Sequence, residues 1–218
     1  MNCGMMWRQQ RVTHCISSAA SDRYKGQAHY WSEIADREGQ QVLVPLCGKS
    51  LDIIWLAAQG CQVLGVECSE LAVQQFIDEQ QLVVTSSLQD EFILYQADDI
   101  QLLQGDFFKL NATLLQSVTA VYDRASLIAL PAEMRAQYVE LLQHILPPSV
   151  SILLVTLDYD QALMQGPPFA VSHNEVERLY LPSFDISLLD ERNVINELPR
   201  FRERGLTHMI ERVYKITR

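Results

Sequence analysis

Two apolar runs, each followed by a helical segment, stand back to back from Gln41 onward, and this repeated order constrains the fold more than any other feature. Gln41-Val42-Leu43-Val44-Pro45-Leu46 is apolar enough for a strand buried on both faces, and it ends at the turn Cys47-Gly48-Lys49-Ser50. Residues 51–58 read as a buried helix, with Gly60 where a helix C-terminus commonly turns left-handed. Residues 61–66 predict a second strand with Glu67 at its carboxyl end. Ser69 is placed to cap a further helix that runs to about Glu79, with Glu70 in its first turn. Strands that alternate with helices in this way pair in parallel, because each helix returns the chain to the starting edge.

The pattern continues downstream. Residues 92–95 and 100–103 flank Asp98-Asp99 and predict a hairpin whose second arm leads into Gly105-Asp106-Phe107-Phe108. Residues 118–122 predict a strand that delivers Asp123-Arg124. After Pro131, the residues Met134, Tyr138, Leu141, Leu142 and Ile145 keep helical spacing until Pro147-Pro148 stops them. Residues 151–157 form a nearly all-apolar central strand, 174–180 a short helix, and 184–189 and 209–216 antiparallel strands separated by a polar stretch. The expected fold is α/β: a doubly wound, mostly parallel Rossmann-like sheet with an antiparallel C-terminal hairpin. Such sheets bind ligands outside the carboxyl ends of their strands, at the point where strand order reverses.

At 218 residues the chain suits one domain. A formal charge of -10 argues against a nucleic-acid partner, which needs a basic face, and against an anionic membrane surface. No apolar run approaches the roughly 18–20 residues of a membrane span. A small-molecule ligand is therefore expected. Cys3, Cys15, Cys47, Cys61 and Cys68 are odd in number and include no CxxC pair, which suits reduced thiols and a cytoplasmic location. The five histidines show no metal-ligand spacing, so no metal is expected. Residues 1–25 differ from the rest: Arg8, Arg11, Arg23 and Lys25 stand against Asp22 alone. That segment reads as either a surface arm or a lid.

Four groups fall on the expected ligand edge. Gly48-Lys49-Ser50 is half a phosphate loop, but Leu43 occupies the place of its first glycine. The glycine-rich dinucleotide turn is also absent. A tight turn beside a ligand without phosphate remains, and S-adenosylmethionine (SAM) has a carboxylate, a ribose and no phosphate. Glu67 follows Gly48 by 19 residues, the spacing at which an acid reaches ribose hydroxyls; the alternative is a solvated carboxylate opening a helix. Asp106 could accept from an adenine amino group with Phe107 stacked nearby, or could close a turn before core aromatics. Asp123-Arg124 interrupts an apolar stretch, as a functional charged pair or a structural one. Gly166-Pro167-Pro168-Phe169 walls a pocket or is a turn.

Taken together, Pro45-Leu46-Cys47-Gly48-Lys49-Ser50, Gly65-Val66-Glu67, Gly105-Asp106-Phe107-Phe108 and Tyr122-Asp123-Arg124-Ala125 resemble the bacterial thiopurine S-methyltransferase family. Leu130-Pro131, Thr156-Leu157-Asp158-Tyr159, Gly166-Pro167-Pro168-Phe169 and the Pro199-Arg200-Phe201 stretch extend the resemblance over residues 41–218. It implies a class I SAM-dependent methyltransferase acting on the sulfur of a small aromatic thiol. Leu46, Glu67 and Arg124 then fall where the family contacts SAM, and Asp106 and Phe107 beside its adenine. Arg124 and Arg200 fall where the family approaches the thiopurine. Trp7 and His14 match a family lid segment, here residues 1–31, although Thr13 replaces a phenylalanine and the run to Tyr30-Trp31 is longer and serine-rich.

The chemistry implied is in-line displacement at a sulfonium by a thiolate. It needs alignment and water exclusion, with no metal and no covalent enzyme intermediate. Arg124 and Arg200 are expected to favour the anionic thiol, and Asp123 to orient Arg124. A monomer is expected. The alternatives are methylation of selenium or tellurium species, a SAM-binding regulator without turnover and, last, a NAD oxidoreductase.

Overall fold

The computed structural model describes residues 30–34 and 39–218. In chain order the strands are β1 (Gln41–Val44), β2 (Gln62–Glu67), β3 (Thr85–Gln89), β4 (Phe92–Ala97), β5 (Ile100–Gln104), β6 (Val118–Asp123), β7 (Ser151–Asp158), β8 (Asp185–Asn193) and β9 (Ile210–Thr217). Between them run the helices α1 (Asp52–Ala58), α2 (Glu70–Glu79), α3 (Ser126–Ala129), α4 (Ala132–Ile145), α5 (His173–Tyr180) and α6 (Pro199–Glu203). All nine strands join one sheet in the order β3-β4-β5-β2-β1-β6-β7-β9-β8.

Strand β1 sits at the middle, paired in parallel with β2 on one side and β6 on the other. β5 extends the parallel part beyond β2, and β7 beyond β6. The parallel centre needs cover on both faces, and the side-chain alternation of β1 supplies it. Val42 and Val44 pack with Ile53 and Leu56 of α1 and Phe76 of α2. Leu43 faces the other way, into a cluster with Tyr138 and Leu142 of α4. Ser69 caps α2 by accepting from the Ala72 amide at 3.0 Å. The C-terminal strands run antiparallel, β7 to β9 and β9 to β8, so the expected hairpin is present.

Two elements differ from expectation. The predicted hairpin is a three-stranded meander, because β3 pairs antiparallel with β4 outside it. Thr85-Ser86-Ser87-Leu88-Gln89 is exposed along its whole length, so no hydrophobic alternation announces it. The polar stretch before β9 also contains α6, which opens on Pro199 and lasts five residues. A helix that short presents too few turns for a periodic signal.

The crossing of β2 over the α1 layer depends on Gly65. A Cβ there would lie 2.8 Å from Leu102 Cδ2 and 2.9 Å from Cys47 Sγ. Gly65→Ala should therefore destabilise the fold by about 1–3 kcal/mol, as overpacking in a dense core does. A lowered midpoint in urea unfolding checks this; an unchanged midpoint would mean that the β1 turn and β5 are not tightly apposed.

Candidate active site

The carboxyl ends of β1, β2, β5, β6 and β7 share one rim of the sheet, because these strands are parallel. The chain moves from β1 outward through β2 and later returns to β6 on the other side, so β1 and β6 flank the switch point. Leu46, Gly48, Glu67, Asp106, Asp123 and Arg124 all belong to this rim. So does Arg200: β8 runs in the same sense as β7, and α6 follows its carboxyl end.

Residues 46–50 turn sharply. Leu46 has φ 43° and Gly48 φ 53°, both in the left-handed region. The Cys47 amide still donates to the Val66 carbonyl at 2.9 Å, which extends the β1–β2 pairing by a step. Directly afterwards the Gly48 amide donates to Glu67 Oε2 at 2.8 Å. Glu67 Oε1 accepts from the Ser69 amide at 2.7 Å, at the start of α2. Glu67 is 1% exposed, and its charge is met by these amides and by the favourable end of the α2 dipole. An ideal Cβ on Gly48 would meet nothing within 4 Å, so the turn faces open space. Cys47 beside it is buried; burial pushes its thiol well up, and the Glu67 charge adds to the effect.

Asp123 and Arg124 are adjacent in sequence but not in role. Consecutive residues at a strand end point to opposite faces. Asp123 enters the α3–α4 side, fully buried, where its Oδ1 accepts from the amides of Ser126 at 3.1 Å and Leu127 at 3.2 Å. Its Oδ2 accepts from the Tyr138 hydroxyl at 2.6 Å. Burial pushes the Asp123 carboxyl up, against the pull of these donors. Ser126 then donates to the Pro45 carbonyl at 2.6 Å, tying β6 to the end of β1.

The expectation that Asp123 orients Arg124 is thus corrected, for the physical reason just given: Asp52 does so. Arg124 Nη1 donates to both oxygens of Asp52 at 2.9 Å. Burial opposes the Arg124 charge, but Asp52, Tyr122 and Glu211 outweigh it and hold the guanidinium above its ordinary range. Asp52 was not among the sequence candidates. A signal for it existed, since it is the one charged residue in the apolar run Leu51-Asp52-Ile53-Ile54-Trp55-Leu56-Ala57-Ala58, the criterion that singled out Asp123-Arg124.

Asp106 is half-buried after β5, and its Oδ1 accepts from the Phe108 amide at 3.0 Å. Phe107 needs a correction. Its ring is 1% exposed and stacks on Tyr138 at 5.1 Å between centroids, so it is packed into the core and offers no free face for a base. The 3₁₀ turn that Asp106 caps sends that side chain inward. Arg200 is half-buried with its guanidinium 5.3 Å from the Phe201 ring centroid. Gly166-Pro167-Pro168-Phe169, after β7, is fixed at several points: the Tyr159 hydroxyl donates to the Pro168 carbonyl at 2.5 Å, and the Phe169 amide to Ile128 at 2.6 Å. Trp7 and His14 lie outside the described residues. Trp31 is described and packs edge-on against Tyr122 at 5.7 Å and Trp55 at 6.4 Å.

This arrangement of parallel strands, a phosphate-free turn and an acid at the tip of the second strand is the class I SAM-dependent methyltransferase fold. A SAM-dependent methyltransferase from Anabaena variabilis matches it with a TM-score of 0.68 at 15% identity, covering 100% of this chain and 95% of that one. Phosphoethanolamine N-methyltransferase 2 of Haemonchus contortus, solved with S-adenosyl-L-methionine, matches with a TM-score of 0.59 at 12% identity over 84% of this chain and 50% of that one. Sequence then narrows the class. The family model described as thiopurine S-methyltransferase (TPMT) matches residues 5–218. Thiopurine S-methyltransferase of Nitrosospira multiformis is 50% identical over 187 residues, 86% of this chain and 85% of its own length. Its counterpart in Shewanella sp. strain W3-18-1 is 47% identical over 212 residues, 97% of each chain. The chain belongs to the thiopurine S-methyltransferase family and is a SAM-dependent methyltransferase.

Since Asp123 satisfies three buried donors, Asp123→Ala should lower unfolding stability by about 2–4 kcal/mol. Chemical denaturation reads this out. A loss below about 0.5 kcal/mol, the level of an ordinary surface change, would contradict the capping role.

Proposed function

We propose that the rim binds SAM and that the enzyme methylates the sulfur of a small aromatic or heterocyclic thiol, of the thiopurine kind. The observation that carries this reading is the Gly48–Glu67 pair. The Glu67 carboxylate accepts from a backbone amide on each oxygen, and its Oε1 also from the Cys68 thiol at 3.6 Å. A carboxylate suits the two hydroxyls of a ribose, and these contacts already hold the side chain in place at the rim. Gly48 leaves room for close approach without any phosphate-binding glycine pattern. Leu46, on the same turn, borders the nucleoside; the second oxygen of Asp106 suits the adenine amino group, with Phe107 contributing through its backbone and as the floor beneath.

When bound, SAM supplies a methyl group on a sulfonium, which a thiolate can displace in line. The protein's share is alignment and exclusion of water. Arg124 and Arg200 favour the anionic thiol from two sides of the rim, and the fixed loop 166–169 gives that pocket a wall. Asp123 acts one step back, holding α3 and thereby the backbone that carries Arg124. Trp7, outside the described residues, keeps the role of SAM contact that the family resemblance implies. Among the described residues no helix is long and apolar enough to cross a membrane. The reading places the enzyme in the cytoplasm, where Cys47 and Cys61 stay as the free thiols they are here.

Incubation with methyl-labelled SAM and 6-mercaptopurine should give the labelled methyl thioether; absence of product with every heteroaromatic thiol tried would overturn the assignment. Arg124→Ala should reduce kcat/KM by about tenfold or more, equivalent to ~1.4 kcal/mol of transition-state stabilisation, and unchanged steady-state kinetics would remove the arginine from the mechanism. Glu67→Gln should weaken SAM binding in calorimetry by roughly tenfold, the scale of a lost hydrogen bond to a charged acceptor. Wild-type affinity in that variant would sink the ribose assignment.

A further inference from the structure

A guanidinium and a sulfonium are both cations, and a rim that holds the two must manage their repulsion. Arg124 stands at the end of β6, beside the switch point. Its partner Asp52 comes from the other side of that point, in the first turn of α1. The pair is enclosed, with side-chain exposures of 10% and 5%. Asp52 is itself fixed: Ser50 Oγ donates to its Oδ2 at 3.0 Å and accepts from its amide at 3.2 Å.

The geometry is not that of an ordinary structural ion pair. A guanidinium normally meets a carboxylate with two nitrogens on two oxygens. Here both oxygens of Asp52 share Nη1. The other nitrogen, Nη2, is buried and has no hydrogen-bond partner among the described residues. A buried donor left in that state is costly, and a purely structural pair would avoid the cost by turning its fork. Asp52 therefore cancels the charge of Arg124 while leaving one donor idle.

We propose that Asp52 is a positioning residue that compensates the charge of Arg124 towards the sulfonium of SAM and reserves Arg124 Nη2 as a hydrogen-bond donor to the thiol substrate. This rests on the reading that SAM occupies the rim. Methyl transfer breaks the methyl–sulfonium bond, forms a methyl–thiolate bond and removes both charges, the electron pair of the broken bond staying on the donor sulfur. A bare guanidinium would repel the cationic donor. It would also stabilise the thiolate more than the less charged transition state, which slows the chemical step. Paired with Asp52, Arg124 keeps its direction as a donor and loses most of its net field.

The test uses calorimetric binding of SAM and of S-adenosylhomocysteine, which lacks the methyl and its positive charge, so that their affinity ratio reports the field at the sulfur. Asp52→Asn should lower the SAM-to-homocysteine-analogue ratio by about tenfold, as an uncompensated like charge would at protein-like dielectric. Arg124→Gln alone, which leaves Asp52 negative, should raise the same ratio. The double variant Asp52→Asn/Arg124→Gln, with no unpaired charge to bury, should return it to near the wild-type value. A merely structural Asp52 would weaken both ligands alike, so an unchanged ratio in Asp52→Asn overturns the inference. If that variant fails to fold, an unchanged ratio in Arg124→Gln overturns it equally. Should the wild-type enzyme bind neither ligand, the rim reading itself fails and takes this inference with it; binding of both with invariant ratios refutes the inference alone.

Discussion

The Glu67 carboxylate, held between the amides of Gly48 and Ser69, is the contact on which the rest of the rim depends. It joins the turn after β1 to the start of α2, so the two opening strand–helix units meet at one charged group. Burying that charge is tolerable because backbone donors and a helix start face it. Gly65 allows the close fit behind it: only a residue without Cβ at this point of β2 leaves room for Cys47 and for Leu102 of β5. A turn without a glycine-rich phosphate cradle can thus still be rigid. Its stiffness comes from a side chain rather than from backbone amides wrapped around an anion.

The other half of the rim follows the same logic with different parts. Asp123 gathers the Tyr138 hydroxyl and two α3 amides, and Ser126 hands the connection to Pro45. The ends of β1 and β6 are therefore locked together before any ligand arrives. Asp52 and Arg124 bridge the same gap on the opposite face of the sheet. Three buried acids each have a distinct set of partners: Glu67 amides and the Cys68 thiol, Asp52 a guanidinium and the Ser50 hydroxyl, Asp123 the Tyr138 hydroxyl and helix amides. Preorganisation of this kind suits methyl transfer, in which alignment supplies most of what the protein can add.

Much of this was legible in the sequence. The central strands announced themselves as apolar runs; the 19-residue step from Gly48 to Glu67 was read as ribose recognition, and the direct hydrogen bond between the two residues was not foreseen. β3 was not legible, because an exposed edge strand of Thr, Ser and Gln carries no burial pattern. Asp52 was missed as a partner of Arg124 because 72 residues separate them and only the sheet order brings them together. Adjacency suggested Asp123 instead, yet neighbours on a strand diverge to opposite faces. Phe107 misled for a related reason: being next to a candidate ligand residue says nothing about which way a ring turns at a 3₁₀ corner.

The central claim is that a phosphate-free nucleoside lies across the carboxyl rim with its sugar on Glu67. A crystal structure of the enzyme with S-adenosylhomocysteine tests it most directly. The account predicts both ribose hydroxyls within hydrogen-bond distance of the Glu67 carboxylate, and the adenine near Asp106. A nucleoside bound elsewhere, with Glu67 remote from its sugar, would contradict it.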